Sequence, residues 1–175
     1  MDDSIQEVIL VNEADEPMGT MEKMEAHRKA LLHRAFSVFI FNAKGEMLLQ
    51  QRSDNKYHSA GLWTNACCSH PSPGEGTDAA ASRRLREEMG FEVPLNEVFS
   101  FTYKASFANG LTEHEFDHVF FGRYDGPVVP DTGEVKDHVF MSMEEIDASL
   151  QREPEKYTAW FVIAFPKVRN VRREK

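Results

Sequence analysis

Cysteine is almost missing from this chain. Two occur in 175 residues, side by side at Cys67 and Cys68, so no disulfide framework exists. A bridge between neighbours would be strained away from ordinary disulfide geometry. No C-x-x-C pair is present, which excludes a cysteine-based zinc finger. Long hydrophobic runs are missing too: the longest mainly apolar stretch, Ala35 to Phe41, is too short to span a membrane. The start, "MDDSIQE", is acidic and lacks a hydrophobic segment, so no secretory signal is read there; the cytoplasm is the expected location and both thiols are expected reduced. Positive charge is in deficit, with 20 Lys and Arg against 29 Asp and Glu, a net −9. That balance argues against nucleic acid or a membrane surface as partner. An anionic ligand must then be met by a local basic cluster or by metal ions.

What is present is an ordinary globular composition, 41% apolar and 28% charged, at a length that suits one domain over residues 1–175. Residues 7–12 read as a strand and 20–33 as a largely helix-forming segment. Residues 34–52 read as a hairpin turning at "NAKG" with Gly45. Leu62 to Cys68 reads as one short strand. A helix is expected over 78–90, with Thr77 or Asp78 as N-cap, a stripe of Ala81, Leu85 and Met89, and Gly90 as its stop. The clearest hairpin is 98–124, turning at Asn109-Gly110. A strand near 138–142 leads into the helix "MEEIDASLQ", and a last helix ends near Pro166. The whole predicts an α+β domain with a mixed sheet.

Four features bear on chemistry. On a strand, side chains alternate faces, so Cys67 and Cys68 point opposite ways and only one reaches a given pocket; the plain alternative is two buried small hydrophobes. In "LTEHEFDH", Glu113 and Glu115 project to one side, where two carboxylates need a cation or a proton between them. The plain alternative is a charged edge strand, and the apolar Phe116, Val119, Phe120 and Phe121 weaken it. His27, His33 and His70 with the two glutamates would make a set suited to Zn²⁺ or Mn²⁺, provided the fold brings them together. Finally, Ser69 to Phe91 resembles a Nudix box, with Glu75 and "EEMGF" in place. Ser69 stands where that box opens with glycine, and Arg84 stands where it has a glutamate. Arg84 leaves the helix poorly equipped to gather metal for hydrolysis and better suited to gripping a diphosphate. The alternative is an Arg84–Glu88 surface ion pair, worth a few tenths of a kcal/mol.

Over nearly its whole length the chain resembles the type I isopentenyl diphosphate isomerases, a branch of the Nudix superfamily. "MEKMEAH", "LLHRAFSVFIFN", "LLQQRSDNK", "WTNACCSHP", "YKA", "LTEHEFDHVF" and "TAWF" carry the likeness. The resemblance implies a Nudix-type α/β/α sandwich with a mixed β-sheet. It implies conversion of isopentenyl to dimethylallyl diphosphate by a 1,3-allylic proton shift. It implies Cys68 and Glu115 as acid–base residues, Tyr103 hydrogen-bonded to the glutamate and Trp160 facing the carbocation, with Cys68 expected to accept the proton from C2. Lys23, Arg52, Lys56 and Arg84 are implied for the diphosphate. His27, His33, His70, Glu113 and Glu115 are implied for one Mn²⁺ or Zn²⁺, and Glu88, with the Cys68 carbonyl, for a diphosphate-bridging Mg²⁺. The expected partner is an isoprenoid diphosphate, and the expected state a monomer or weak homodimer. An indole face suits a carbocation, although Trp160 on an apolar helix face also reads as a plain core aromatic. A Nudix pyrophosphohydrolase and a metal-binding ligand sensor are the competing readings. Arg84 speaks against the first, and the set Cys68, Glu115, Tyr103 and Trp160 against the second. The acidic 131–137 segment reads as a surface loop.

Overall fold

The computed structural model describes residues 6–174; residues 1–5, which carry most of the acidic start, and residue 175 lie outside the described residues. The order is β1 (Glu7–Val11), β2 (Pro17–Glu22), α1 (Lys23–Arg28), β3 (His33–Phe41), β4 (Met47–Arg52), β5 (Trp63–Asn65), β6 (Cys67–Ser69), α2 (Thr77–Met89), β7 (Asn96–Ser106), β8 (Thr112–Arg123), β9 (Val135–Met141), α3 (Met143–Arg152) and α4 (Ala159–Arg173). All these strands join one mixed sheet.

β3 is its axis. It runs parallel to β8 from His33 beside Glu115 to Phe41 beside Arg123, and β6 lies antiparallel to it across Phe36 to Val38. A strand paired and covered on both sides should read as a nearly continuous apolar run, and "HRAFSVFIF" does. Alternation then divides its side chains between two cores. Phe36, Val38 and Ile40 join Cys67, Phe120 and the stripe Ala81, Leu85 and Met89 of α2. Phe39 and Phe41 join Val119, Phe121, Ile146 of α3 and Phe161, Phe165 and Val168 of α4. This is the expected α/β/α arrangement.

Several local expectations change. The 20–33 segment is mostly not helix: Pro17–Glu22 pairs with β1 as a strand, and only the six residues of α1 are helical. The turn with Gly45 forms, at φ +78, but β3 and β4 pair only at Phe41 and Met47 before splaying. β6 fills the gap on β3, and β5 and β9 pair with β4. Leu62 to Cys68 accordingly breaks into two strands on different partners. The N-cap of α2 is Gly76 without a side-chain bond, while Gly90 closes it in the left-handed region at φ +80 as expected. α4 runs through Pro166 to Arg173. The carbonyl that Pro166 leaves without an N–H is that of Val162, a residue on the exposed side of the helix.

Candidate active site

β8 supplies the floor of the site. Glu113, Glu115 and Asp117 alternate with His114 and Phe116, so all three carboxylates turn to the α4 side, buried, ahead of Val119 and Phe121 in the core. The parallel register sets His33 beside Glu115, and the antiparallel register sets Tyr103 there from β7. Tyr103 Oη donates to Glu115 Oε1 and lies 2.7 Å from Glu113 Oε2.

His27, His33, His70 and Glu115 present ligand atoms within 4.8 Å of one another. Nδ1 of His27 is held by the Lys23 carbonyl at 2.6 Å, and Nδ1 of His33 by that of Leu31 at 2.8 Å. Those bonds place the Nδ1 hydrogens on backbone carbonyls and turn Nε2 into the cluster, which is how metal-binding histidines are oriented. Nε2 of His33 and His70 lie 3.1 and 2.5 Å from Glu115 Oε2. Nε2 of His27 is buried and without a partner, as a nitrogen reserved for a cation would be. Burial pushes His27 down to about 4, helped by the His70 charge, so it is a neutral imidazole at pH 7. Burial opposes ionisation of Glu115, but His70 and His33 outweigh it and hold the carboxyl well below its usual range. Residues and states fit a divalent metal. Glu113 stands in an adjoining group with His27 and His58.

Cys67 and Cys68 do face opposite ways. Cys67 is fully buried against α2. Cys68 is partly buried on the other face, its sulfur 3.1 Å from Asn65 Oδ1, 3.1 Å from Trp160 Nε1 and 3.5 Å from Ser37 Oγ. The two Asn65 N–H groups are taken by the carbonyls of Val38 and Cys67 at 2.9 and 3.0 Å. That orients the amide, so Oδ1 accepts and the sulfur carries a proton. Burial pushes the thiol well up, with the Asp117 charge adding to it. Ser37 donates to Asp117 at 2.7 Å; burial and Glu115 hold that acid well above its usual range. Cys68, Tyr103, Glu113, Glu115, His70, Arg52 and Trp160 line a small cavity of about 40 Å³. Arg52 lies over the Trp160 ring at 5.1 Å.

Next to it, with Tyr57 lining both, is a cavity of about 620 Å³ bounded by Lys23, Lys56 and Arg84 and by Glu87, Asp131 and Glu134. Three of the four cations expected for the diphosphate thus meet here, and Arg52 sits at the inner cavity. Arg84 is not a surface pair. Its side chain is 10% exposed and reaches Glu88 at 2.9 Å, Glu87 at 3.2 Å and Glu134 at 3.5 Å. Glu88 is buried between Arg84 and Gln50 and lies outside both histidine groups. Glu75 binds Arg83 rather than the site. The 131–137 segment is no plain surface loop: Glu134 also pairs with Lys56, and Val135 enters the α2 core.

Sequence reasoning missed Asp117, His58, Asn65, Ser37 and Glu134. Asp117 continues the alternation that singled out Glu113 and Glu115, so its signal was available. Asn65, Ser37 and Glu134 stand in segments already singled out, but nothing in their spacing gave them a role, and His58 stands in a connection with no distinguishing pattern.

The sandwich and the degenerate box on α2 define the class. The model of the NUDIX domain matches residues 31–161. A Deinococcus radiodurans protein of known structure superposes with a TM-score of 0.79 at 20% identity, over 93% of this chain and 98% of its own. A MutT protein from Methanosarcina mazei does so at 0.66 and 23% identity, over 82% and 94%. Within that class, the chain is 49% identical over 164 residues to "Isopentenyl-diphosphate Delta-isomerase" of Pectobacterium atrosepticum, covering 94% of this chain and 92% of that one. It is 49% identical over 154 residues to "Isopentenyl-diphosphate Delta-isomerase 2" of Photorhabdus laumondii, covering 88% and 87%. The chain belongs to the isopentenyl-diphosphate Delta-isomerase family of Nudix proteins.

Proposed function

We propose that this chain, acting as one domain over residues 1–175, converts isopentenyl diphosphate to dimethylallyl diphosphate. The observation that carries the reading is the pairing of cavities: a large one that gathers Lys23, Lys56 and Arg84, balanced at rest by Glu87, Asp131 and Glu134, lies beside a small one lined by a thiol, a carboxylate–phenol pair and an indole. Lys23, Lys56 and Arg84 take the diphosphate, and the isopentenyl group enters the inner cavity. That cavity has room for only a few waters, so Arg52 must leave the Trp160 face as the alkene arrives. The indole then faces a developing tertiary cation, worth about 2 kcal/mol or more when desolvated.

Cys68 and Glu115 share one mobile proton at rest, held on the thiol. Its transfer to the terminal alkene carbon leaves a cation at C3, and loss of a proton from C2 to Glu115 forms the new double bond. This direction reverses the expectation that Cys68 accepts from C2; its support is the acceptor geometry of Asn65 and the ionised state of Glu115. Tyr103 steadies Glu115 by donating to it. His27, His33, His70, Glu115 and Glu113 would hold one Mn²⁺ or Zn²⁺, and Glu88 an Mg²⁺ with the diphosphate. When bound, these ions would supply positive charge beside the catalytic carboxylate and the diphosphate. The reading places the protein in the cytoplasm, as a monomer or weak homodimer. Among the described residues no helix is long and apolar enough to cross a membrane.

The test is a time course in D₂O with Mg²⁺, following carbon and phosphorus signals together. Deuterated dimethylallyl diphosphate with its phosphates intact is the expected result. Phosphate release without isomerisation would turn the reading to a hydrolase, and binding without either change to a sensor.

A further inference from the structure

We infer that His58 is a fourth histidine of the metal centre, a ligand through Nε2 on the Glu113 side of His27. This rests on the proposed metal centre and deepens it, and no motif of the sequence pointed to it.

His58 sits in the connection between β4 and β5, turned inward until its side chain is 3% exposed. The segment is tied from two sides. Arg52 donates to the His58 carbonyl at 3.3 Å, and Asn109 of the β7–β8 turn donates to the Tyr57 carbonyl at 3.1 Å. The next residue, Ser59, takes φ +53, an uncommon conformation for a residue other than glycine. The imidazole stacks on Phe107 at 4.6 Å and 10° and meets Trp160 edge-on at 5.8 Å. One ring is thus fixed between the turn that follows β7 and the indole of the inner cavity.

Its nitrogens then point in defined directions. Nδ1 lies 3.2 Å from Ser59 Oγ. Nε2 lies 2.7 Å from Glu113 Oε1, yet off the line of a hydrogen bond, so it counts as a buried nitrogen without a partner. Nε2 of His27 is in the same condition. Nε2 of His58, the partnerless Nε2 of His27 and an oxygen of Glu113 lie within 4.8 Å of one another. One cation would satisfy all three buried polar atoms together. Nε2 and Oε1 are 2.7 Å apart, near enough for one cation with bonds of about 2.0–2.2 Å to take both. Tyr103 Oη lies 2.7 Å from the other oxygen of Glu113, so Oε1 is the one turned toward His58. His58 therefore completes a second pair of histidines and one carboxylate beside His33, His70 and Glu115, with His27 common to both groups.

The experiment is metal retention, read apart from turnover. Zn²⁺-loaded protein is competed with a chelator for the unaltered chain, His58→Phe and Glu113→Gln. Phenylalanine keeps the stack on Phe107 and Trp160 and removes only the nitrogens. The expected result is that His58→Phe loosens Zn²⁺ at least about tenfold, in the range that loss of metal-site partners produces. The Co²⁺-substituted protein should also change its visible spectrum. Wild-type retention and spectrum in His58→Phe, with loosening in Glu113→Gln, would overturn the inference and leave the rest of the centre standing. No loosening in either variant would remove Glu113 from the centre and the inference with it. Should His58→Phe fail to fold, X-ray absorption on the Zn²⁺-loaded unaltered protein decides: four imidazoles support the inference and three overturn it.

Discussion

Replacing Arg84 by methionine isolates what the altered Nudix box does. In the unliganded protein the Arg84 side chain is nearly buried and faces Glu87, Glu88 and Glu134. Methionine keeps much of the volume and removes the charge, so Glu88 and Glu134 lose their shared counter-ion away from water. Breaking a buried pair from one side costs about 3–5 kcal/mol. For a chain of this size each kcal/mol moves Tm by roughly 2–4 °C, giving a fall of roughly 6–20 °C. The deficit should depend on pH. Burial raises Glu134, but Lys56 and Arg84 more than offset it and hold its folded-state value below the ordinary 4.5. A carboxylate held low adds stability that is present above its unfolded value and lost as pH falls through its folded value. The gap between the two proteins should thus be full at pH 7 and shrink below about pH 4.5 as the carboxylates protonate in both. Affinity is measured separately, at a temperature where both are folded. Loss of one charged contact, about 1.5–3 kcal/mol, should weaken diphosphate binding roughly tenfold or more. Differential scanning calorimetry across pH with titration calorimetry reads both effects. An unchanged Tm with unchanged affinity would refute the reasoning, since Arg84 would then neither neutralise the carboxylates nor meet the ligand.

Cys68→Ala should lower kcat by about 10²–10⁴, whereas Cys67→Ala should keep most turnover and cost about 1 kcal/mol of core packing; similar losses in both would contradict their opposite orientation. In chelator-stripped protein, His27 titrates near 4 when folded and near 6.5 when unfolded. The unfolded chain then binds the extra proton between those values, and stability should fall as pH drops through that window; urea midpoints of His27→Asn should show a flatter profile, and an unchanged slope would assign the effect elsewhere. Gly90→Ala should cost more than about 1 kcal/mol, because an added Cβ would lie 2.3 Å from the Val129 carbonyl oxygen at a left-handed φ; wild-type thermal stability would show that the turn gives way freely. Trp160→Phe keeps an aromatic face but removes the N–H at Cys68, and should lower kcat with little change in KM; a KM effect alone would place the indole in substrate binding only.

Much of this molecule was legible from neighbouring residues. Alternation put Cys67 and Cys68 on opposite faces and Glu113 and Glu115 on one. Gly45, Gly90 and Asn109-Gly110 marked turns because only a few residues accept the backbone angles those turns need. The Nudix-like spacing set Arg84 and Glu88 one helical turn apart. The splay of β3 from β4 was not legible, since a turn signal says that two strands meet but not how far they stay paired. Pro166 misled for a similar reason: its cost depends on where the carbonyl it orphans lies in the fold, and here that carbonyl belongs to Val162, an exposed residue.

The sequence alone determined which residues share a face and where the turns fall, because those properties depend on spacing within a few residues; the resemblance to the Nudix box marked Arg84 as standing where that box has a glutamate. Only the tertiary structure decided that His33 meets Glu115 across 82 residues, that Arg84 is buried with Glu134, that Asn65 holds the Cys68 thiol and that His58 turns in toward Glu113. Such contacts follow from strand order, parallel register and the path of loops between distant segments. They are fixed when two cores close on opposite sides of β3, and no local pattern encodes them.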